Sequence, residues 1–224
     1  MARITVVLDD IVGLSHNSIT GEPRPAKVAA ICDLAGAGGV AILIKDGNFT
    51  SEYEKTVRSV KEVLGIPLAL IIPPSDKAIE KTLDLAPSMA VLTDIASGDT
   101  DSVSRLQVAN IIVAVGITPD LDQVKAAAKM KADYVAIDVM SFCTEKSLSA
   151  RVDLLNTISK VAALAERLSI GVIAIGPMQM NDVIKLADIE QIEDFFIGHE
   201  LIAKAILFGL EDAIAEFKAE VNRN

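Results

Sequence analysis

Tryptophan is absent from this chain, and aromatic residues make up only 4% of its 224 positions, so large rings cannot fill most of an interior. The core has to be assembled from Ala, Val, Ile and Leu within a hydrophobic share of 51%, a composition that suits parallel strands buried on both faces. Cysteine is scarce as well. Cys32 and Cys143 fall in separate predicted elements, which argues against a disulfide framework or a metal knuckle and fits a reducing cytoplasm. No apolar run reaches the ~18 residues that a membrane-crossing helix needs. The N-terminal Met-Ala-Arg-Ile-Thr-Val-Val-Leu-Asp enters a strand pattern directly, without the layout of a signal peptide. Basic charge is in deficit, with 21 Lys and Arg against 31 Asp and Glu and a net charge of −10. That balance argues against nucleic acid and anionic membranes as partners; an anionic substrate needs a local site that overcomes the overall field. Walker, dinucleotide-glycine and Gly-x-Ser-x-Gly motifs are missing, as is any metal-ligand spacing.

What is present is a repeated unit. A short apolar run, a polar loop and a segment of helical period recur along the whole chain, with no linker or low-complexity tract between them. Residues 1–224 therefore read as one domain. The runs predict strands over 3–9, 40–45, 67–72, 88–93, 110–115, 133–138, 170–175 and 194–197. Helix starts are signalled at Ser51, Ser75, Thr118-Pro119-Asp120 and Asn181-Asp182. Eight such alternations favour a closed, eight-stranded parallel (β/α)₈ barrel; an open, doubly wound sheet is the alternative on pattern alone. Barrels of this kind place their sites at the carboxyl ends of the strands.

The strongest signal at those ends is Asp194-Phe195-Phe196-Ile197-Gly198-His199-Glu200. A buried strand ends at Gly198 and a helix starts at once, predicted to run to residue 222. Glycine admits a ligand close to the backbone, and the unpaired N–H groups of a helix's first turn bind phosphate without a basic side chain. The plainer role is a tight turn at Gly198 with His199 as a cap. Gly176-Pro177, after the seventh strand, offers a neighbouring phosphate site or simply a rigid turn, and Pro177 lacks an N–H donor. Asp9, Asp10, Lys45, Asp46, Asp94 and Asp138 form a ring of charge at predicted strand ends. Such carboxylates hold a cation, bind an amine or move protons, and they also serve as ordinary turn formers. Lys45 has three readings: an anion anchor, an imine-forming lysine, or an ion-pair partner of Asp9. His16 lies in segment 10–23, read as a long loop suited to a flap. Gly36-Ala37-Gly38-Gly39 precedes a strand, on the wrong end of the barrel for a cofactor.

Several stretches together resemble the pyridoxine 5′-phosphate synthase family. They are Ile197-Gly198-His199 through Phe208-Gly209-Leu210-Glu211-Asp212-Ala213, Asp9 after the first strand, Leu34-Ala35-Gly36-Ala37-Gly38-Gly39-Val40, and Ala127-Ala128 before Tyr134-Val135. The resemblance implies a homo-oligomeric barrel without metal or organic cofactor. It also implies a condensation of 3-amino-2-oxopropyl phosphate with 1-deoxyxylulose 5-phosphate, and hence a small phosphorylated ligand or inorganic phosphate as partner. Carried over position by position, Asp9 matches the family's first-strand aspartate, while Val7 and Asp10 replace its Asn and His. Gly198 and His199 match its phosphate cradle, and Lys45 stands where it has an arginine. Its second-strand histidine is Leu43 here. Its glutamates on the third and sixth strands are Ala69 and Ala136, and its seventh-strand histidine is Gly176. Proton transfer needs groups of suitable pKa within hydrogen-bond reach, and these four residues supply none. The expectation is a phospho-ligand-binding barrel with altered or lost catalysis; the alternatives are an active synthase with displaced catalytic groups and a non-catalytic structural or assembly barrel. Asp9, Lys45 and Asp138 are the candidate catalytic groups, and Asp9, Asp10, Lys45, Asp94 and Gly176 join Gly198 and His199 in binding.

Overall fold

Each strand is short, nearly wholly apolar and flanked by polar turns, so burial of both faces is the only way to remove its side chains from water. A computed structural model describes residues 2–47, 49–93 and 99–223 and realises this as a closed barrel of eight parallel strands. These are β1 (Arg3–Val7), β2 (Gly39–Leu43), β3 (Leu68–Ile72), β4 (Met89–Leu92), β5 (Ile112–Ile117), β6 (Tyr134–Asp138), β7 (Gly171–Ile175) and β8 (Ile192–Ile197). Each pairs with its sequence neighbours, and β8 closes on β1 through Arg3↔Asp194 to Val6↔Ile197. The outer ring comprises α1 (Asp9–His16), α2 (Pro25–Leu34), α3 (Ser51–Val63), α4 (Asp76–Leu85), α5 (Thr100–Val108) and α6 (Leu121–Lys129). It continues with α7 (Met140–Thr144), α8 (Leu148–Arg167), α9 (Met180–Leu186), α10 (His199–Phe208) and α11 (Leu210–Val221). No helix among the described residues is long and apolar enough to cross a membrane.

Two apolar layers follow from strand alternation. Ile4, Val6, Leu8, Ile42, Leu70, Phe195 and Ile197 point outward and pack under the helices with Phe142 and Phe217. Val7, Ala41, Ala69, Ile71, Val91, Ala114, Ala136, Ile173 and Phe196 point inward. The alternation is kept on β8 by a bulge: Val172 pairs with Ile192 and Ile173 with Asp194, so Glu193 is the extra residue. Asp194, Phe196 and Gly198 are thereby aimed into the barrel. Ala and Gly at many inward positions leave room for the few large side chains there. At Gly171 a Cβ would overlap the Tyr134 ring, so that ring's place inside depends on the glycine.

Three local expectations need correction. Segment 10–23 is not one long loop, because Asp9–His16 is helical, with Ile11 and Val12 buried beneath it and Asp9 and Asp10 in its first turn. Acidic groups at a helix start oppose the positive end of its dipole, which favours helix over loop. The last helix is two: Gly209, at φ 93°, ends α10 and starts α11 at a new angle. The cap of α3 is Thr50 rather than Ser51, its hydroxyl accepting the Tyr53 N–H at 3.3 Å.

Candidate functional site

A cavity of about 860 Å³ opens at the carboxyl end of the barrel, inside the range of ~300–1,000 Å³ for small-molecule sites. Its floor is apolar. Val7, Leu43, Ile71 and Val91 come from β1 to β4, and Ala136, Ile175 and Phe196 from β6 to β8. The equivalent position on β5 is Gly116, where a Cβ would come within 3.2 Å of the Leu92 carbonyl oxygen. The rim carries Asp9, Thr93, Thr118, Gln123, Asp138 and His199, with the turns at Gly176-Pro177 and Gly198 between them. Among the described residues no Lys or Arg lines it.

Asp9 is half-buried, unlike the exposed Asp138. It follows β1 by two residues, at the first position of α1, and its Oδ1 accepts the Leu43 N–H at 2.8 Å. This bond ties the first turn of α1 to the end of β2 and leaves Oδ2 for the cavity. Burial pushes the Asp9 carboxyl above the ordinary aspartate value; the Leu43 N–H opposes the rise and the Asp10 charge adds to it. Asp138 is exposed at the end of β6, and its Oδ1 accepts the Met140 N–H at 2.8 Å, fixing the entry to α7. The remaining rim groups are partly engaged: Gln123 donates to the Thr118 hydroxyl at 2.8 Å and accepts the Thr118 N–H at 2.9 Å.

At the junction of β8 and α10, the Gly198 carbonyl accepts the N–H groups of Leu201 and Ile202 at 3.0 and 3.1 Å. The N–H groups of His199 and Glu200 are the remaining donors of that first turn. Gly198 lies over β1, where a Cβ would be 3.2 Å from that of Val7. His199 Nδ1 and Asp10 Oδ2 are 2.7 Å apart, joining the starts of α10 and α1 across the rim. The Asp10 hydrogen bond and charge raise the His199 pKa above the ordinary imidazole value and so favour its cationic form.

The remaining sequence candidates fall elsewhere. Lys45 is exposed on a 3₁₀ turn (Lys45–Gly47) after β2; it does not line the cavity, and no ion pair joins it to Asp9. Asp94 lies outside the described residues. His16 is not poised over the mouth: its Nε2 is 3.2 Å from the Thr56 hydroxyl, and its ring stands edge-on to Tyr53, which fastens α1 to α3. The Gly36–Gly39 stretch sits at the amino end of β2, with the Gly38 N–H donating to Ile4. Of the four replaced positions, Leu43, Ala136 and Gly176 line the cavity, while Ala69 is buried one layer below Ile71. The sequence reading missed the floor itself, because Val91, Ile175 and Phe196 carry no chemical signal in isolation.

A family model described as pyridoxal phosphate biosynthesis protein PdxJ matches residues 4–223. Pyridoxine 5′-phosphate synthase of Geotalea daltonii is 30% identical over 232 residues, covering 96% of this chain and 97% of that protein. The enzyme of the same name from Geobacter sp. strain M21 is 31% identical with the same coverage. Among solved structures, thiamine phosphate pyrophosphorylase from Pyrococcus furiosus superposes with a TM-score of 0.66 at 16% identity, covering 99% of this chain and 96% of that one. That likeness is one of fold.

Proposed function

The chain belongs to the PdxJ family of pyridoxal phosphate biosynthesis proteins, and from that premise we propose that its barrel mouth binds a small phosphorylated ligand while its chemistry has departed from the family condensation. The observation that carries this is the juxtaposition at the mouth. The first turn of α10, with its free N–H groups and Gly198, opens onto a cavity whose floor is apolar where the family places acid–base groups. Phosphate needs only oriented N–H donors and a helix start, and the first turn of α10 offers both. Proton transfer needs titratable groups, and Leu43, Ala136 and Gly176 offer none. Asp9 is the group placed to move a proton. It matches the family's first-strand aspartate, faces the cavity, and its raised pKa brings it nearer to neutral working pH.

Two measurements test this reading. Inorganic phosphate should raise the melting temperature in step with RT ln(1 + [L]/Kd). Gly198→Val should remove that shift, and its melting curve without phosphate reports any cost of crowding Val7. Purified protein given 3-amino-2-oxopropyl phosphate and 1-deoxyxylulose 5-phosphate should form no pyridoxine 5′-phosphate above an enzyme-free blank. Turnover near the ordinary enzyme range of ~1 per second would overturn the departure from family chemistry. A phosphate-independent melting temperature would overturn the binding site. On this proposal the chain, with Cys32 and Cys143 as free thiols, works in a reducing cytoplasm, and it assembles with copies of itself, as its resemblance implies.

A further inference from the structure

The floor of the cavity and the acids of its rim ask different things of a ligand. Leu43, Ile71, Ala136, Ile175 and Phe196 present only C–H groups to whatever rests on them. A polyhydroxylated chain laid there would give up its water hydrogen bonds without replacement, at roughly 5- to 100-fold in affinity for each hydroxyl left unpaired. A flat or cyclic hydrocarbon body loses nothing. Covering roughly 100 Å² of such a floor strengthens binding on the order of 50-fold. The rim adds a polarity requirement. Asp9 and Asp138 each have one carboxylate oxygen taken by a backbone N–H, from Leu43 and Met140 respectively. Ionised carboxylates only accept hydrogen bonds, so the ligand must bring the donor. No Lys or Arg among the described cavity-lining residues neutralises the pair, and the lining His199 is engaged by Asp10, so a donor carrying positive charge is favoured over a neutral hydroxyl.

We infer that the ligand is a small aromatic or alicyclic amine. Its ring lies on the floor formed around Phe196, Leu43 and Ala136, its ammonium group faces Oδ2 of Asp9, and its anionic end points at the first turn of α10. The inference rests on the proposed phosphate site only for that last feature. Ring and amine are read from the floor and from Asp9.

Calorimetric titration with separate probes tests each part on the intact chain. Benzylamine supplies ring and amine, phenyl phosphate ring and anion, and ribose 5-phosphate a hydroxylated body with the same anion; inorganic phosphate is the reference. Phenyl phosphate should bind at least tenfold tighter than inorganic phosphate, and ribose 5-phosphate should bind no tighter than inorganic phosphate. Asp9→Asn, which keeps an oxygen for the Leu43 N–H, should weaken benzylamine roughly tenfold and leave phenyl phosphate unchanged. Ala136→Glu, which sets a carboxylate in the floor, should weaken phenyl phosphate by a similar factor; Ala136→Ser is the milder variant if the first fails to fold. Ribose 5-phosphate binding as tightly as phenyl phosphate would overturn the ring, and benzylamine binding that ignores Asp9→Asn would overturn the amine. Loss of all phosphate binding with benzylamine retained would defeat the phosphate site and leave the ring and amine standing.

Discussion

The two ends of the barrel solve the problem of an inward-facing acid in opposite ways. At the amino end Asp194 is almost fully buried, its Oδ2 accepting the Thr5 hydroxyl at 3.1 Å and meeting Arg3 Nε at 3.3 Å. Among the described residues its Oδ1 has no hydrogen-bond partner, and burial lifts the carboxyl to about 6 in spite of Arg3, Thr5 and the Phe195 N–H. Tyr134 fills the space beside it, with Arg3 and Glu193 close to its hydroxyl. At the carboxyl end Asp9 and Asp138 line an open cavity, each holding a backbone N–H, while Asp10 stands outside the lining and holds the exposed His199. The amino end is a packed polar plug. The carboxyl end is an apolar bowl with an acidic lip. Conserving volume closes one end, and removing it opens the other, so stability and binding can be altered separately.

The largest effect should come from the layer between the two ends. Phe196→Ala takes a fully inward ring out of the floor and should cost roughly 3–5 kcal/mol, read from the denaturant midpoint. A cost below ~1 kcal/mol would mean the interior collapses around the gap.

Next is pH. Asp194 has a folded pKa of about 6 against an unfolded value near 3.9, so the folded state binds more protons between them. The corresponding stability is fully present below ~4 and is lost as pH rises through ~6, on the order of 3 kcal/mol in total. Asp194→Asn should flatten that slope in urea titrations at a series of pH values. The remainder belongs in part to Asp9, whose raised pKa acts in the same direction. An unchanged slope in the variant would show that Arg3 holds Asp194 ionised.

Gly171→Ala should cost roughly 1–3 kcal/mol, because the new methyl overlaps the Tyr134 ring. Tyr134→Ala in the same chain should recover part of it, which a plain backbone effect would not allow. The smallest effect lies at the exposed lip. In Asp10→Asn the His199 imidazole should titrate at lower pH by NMR, with little change in melting temperature, because an exposed pair stabilises weakly. A large drop in melting temperature would instead make the pair a structural clasp between α1 and α10.

Residue patterns alone carried the barrel. Eight apolar runs separated by helical periods set the strand count, their order and the end at which a site forms, and Gly198-His199 marked the start of α10 in the sequence. Local chemistry also marked Asp9 and Asp138, since an acid that closes a β-rich run is visible in one dimension. What no local pattern could settle was which of the marked groups share a space. Lys45 and Asp9 both end strands, yet the 3₁₀ turn after β2 carries Lys45 out to solvent while the Leu43 N–H holds Asp9 at the cavity. His16 is drawn onto Tyr53 by the helix Asp9–His16, where the local pattern of segment 10–23 suggests a loop. The floor exists only because the closed barrel brings Val7, Leu43, Ile71, Val91, Ala136, Ile175 and Phe196 within reach of one ligand. Periodicity is a property of neighbours along the chain and so can be read from it. Convergence of single residues from seven strands depends on closure, twist and the bulge at Glu193, and those arise only when the sheet meets itself.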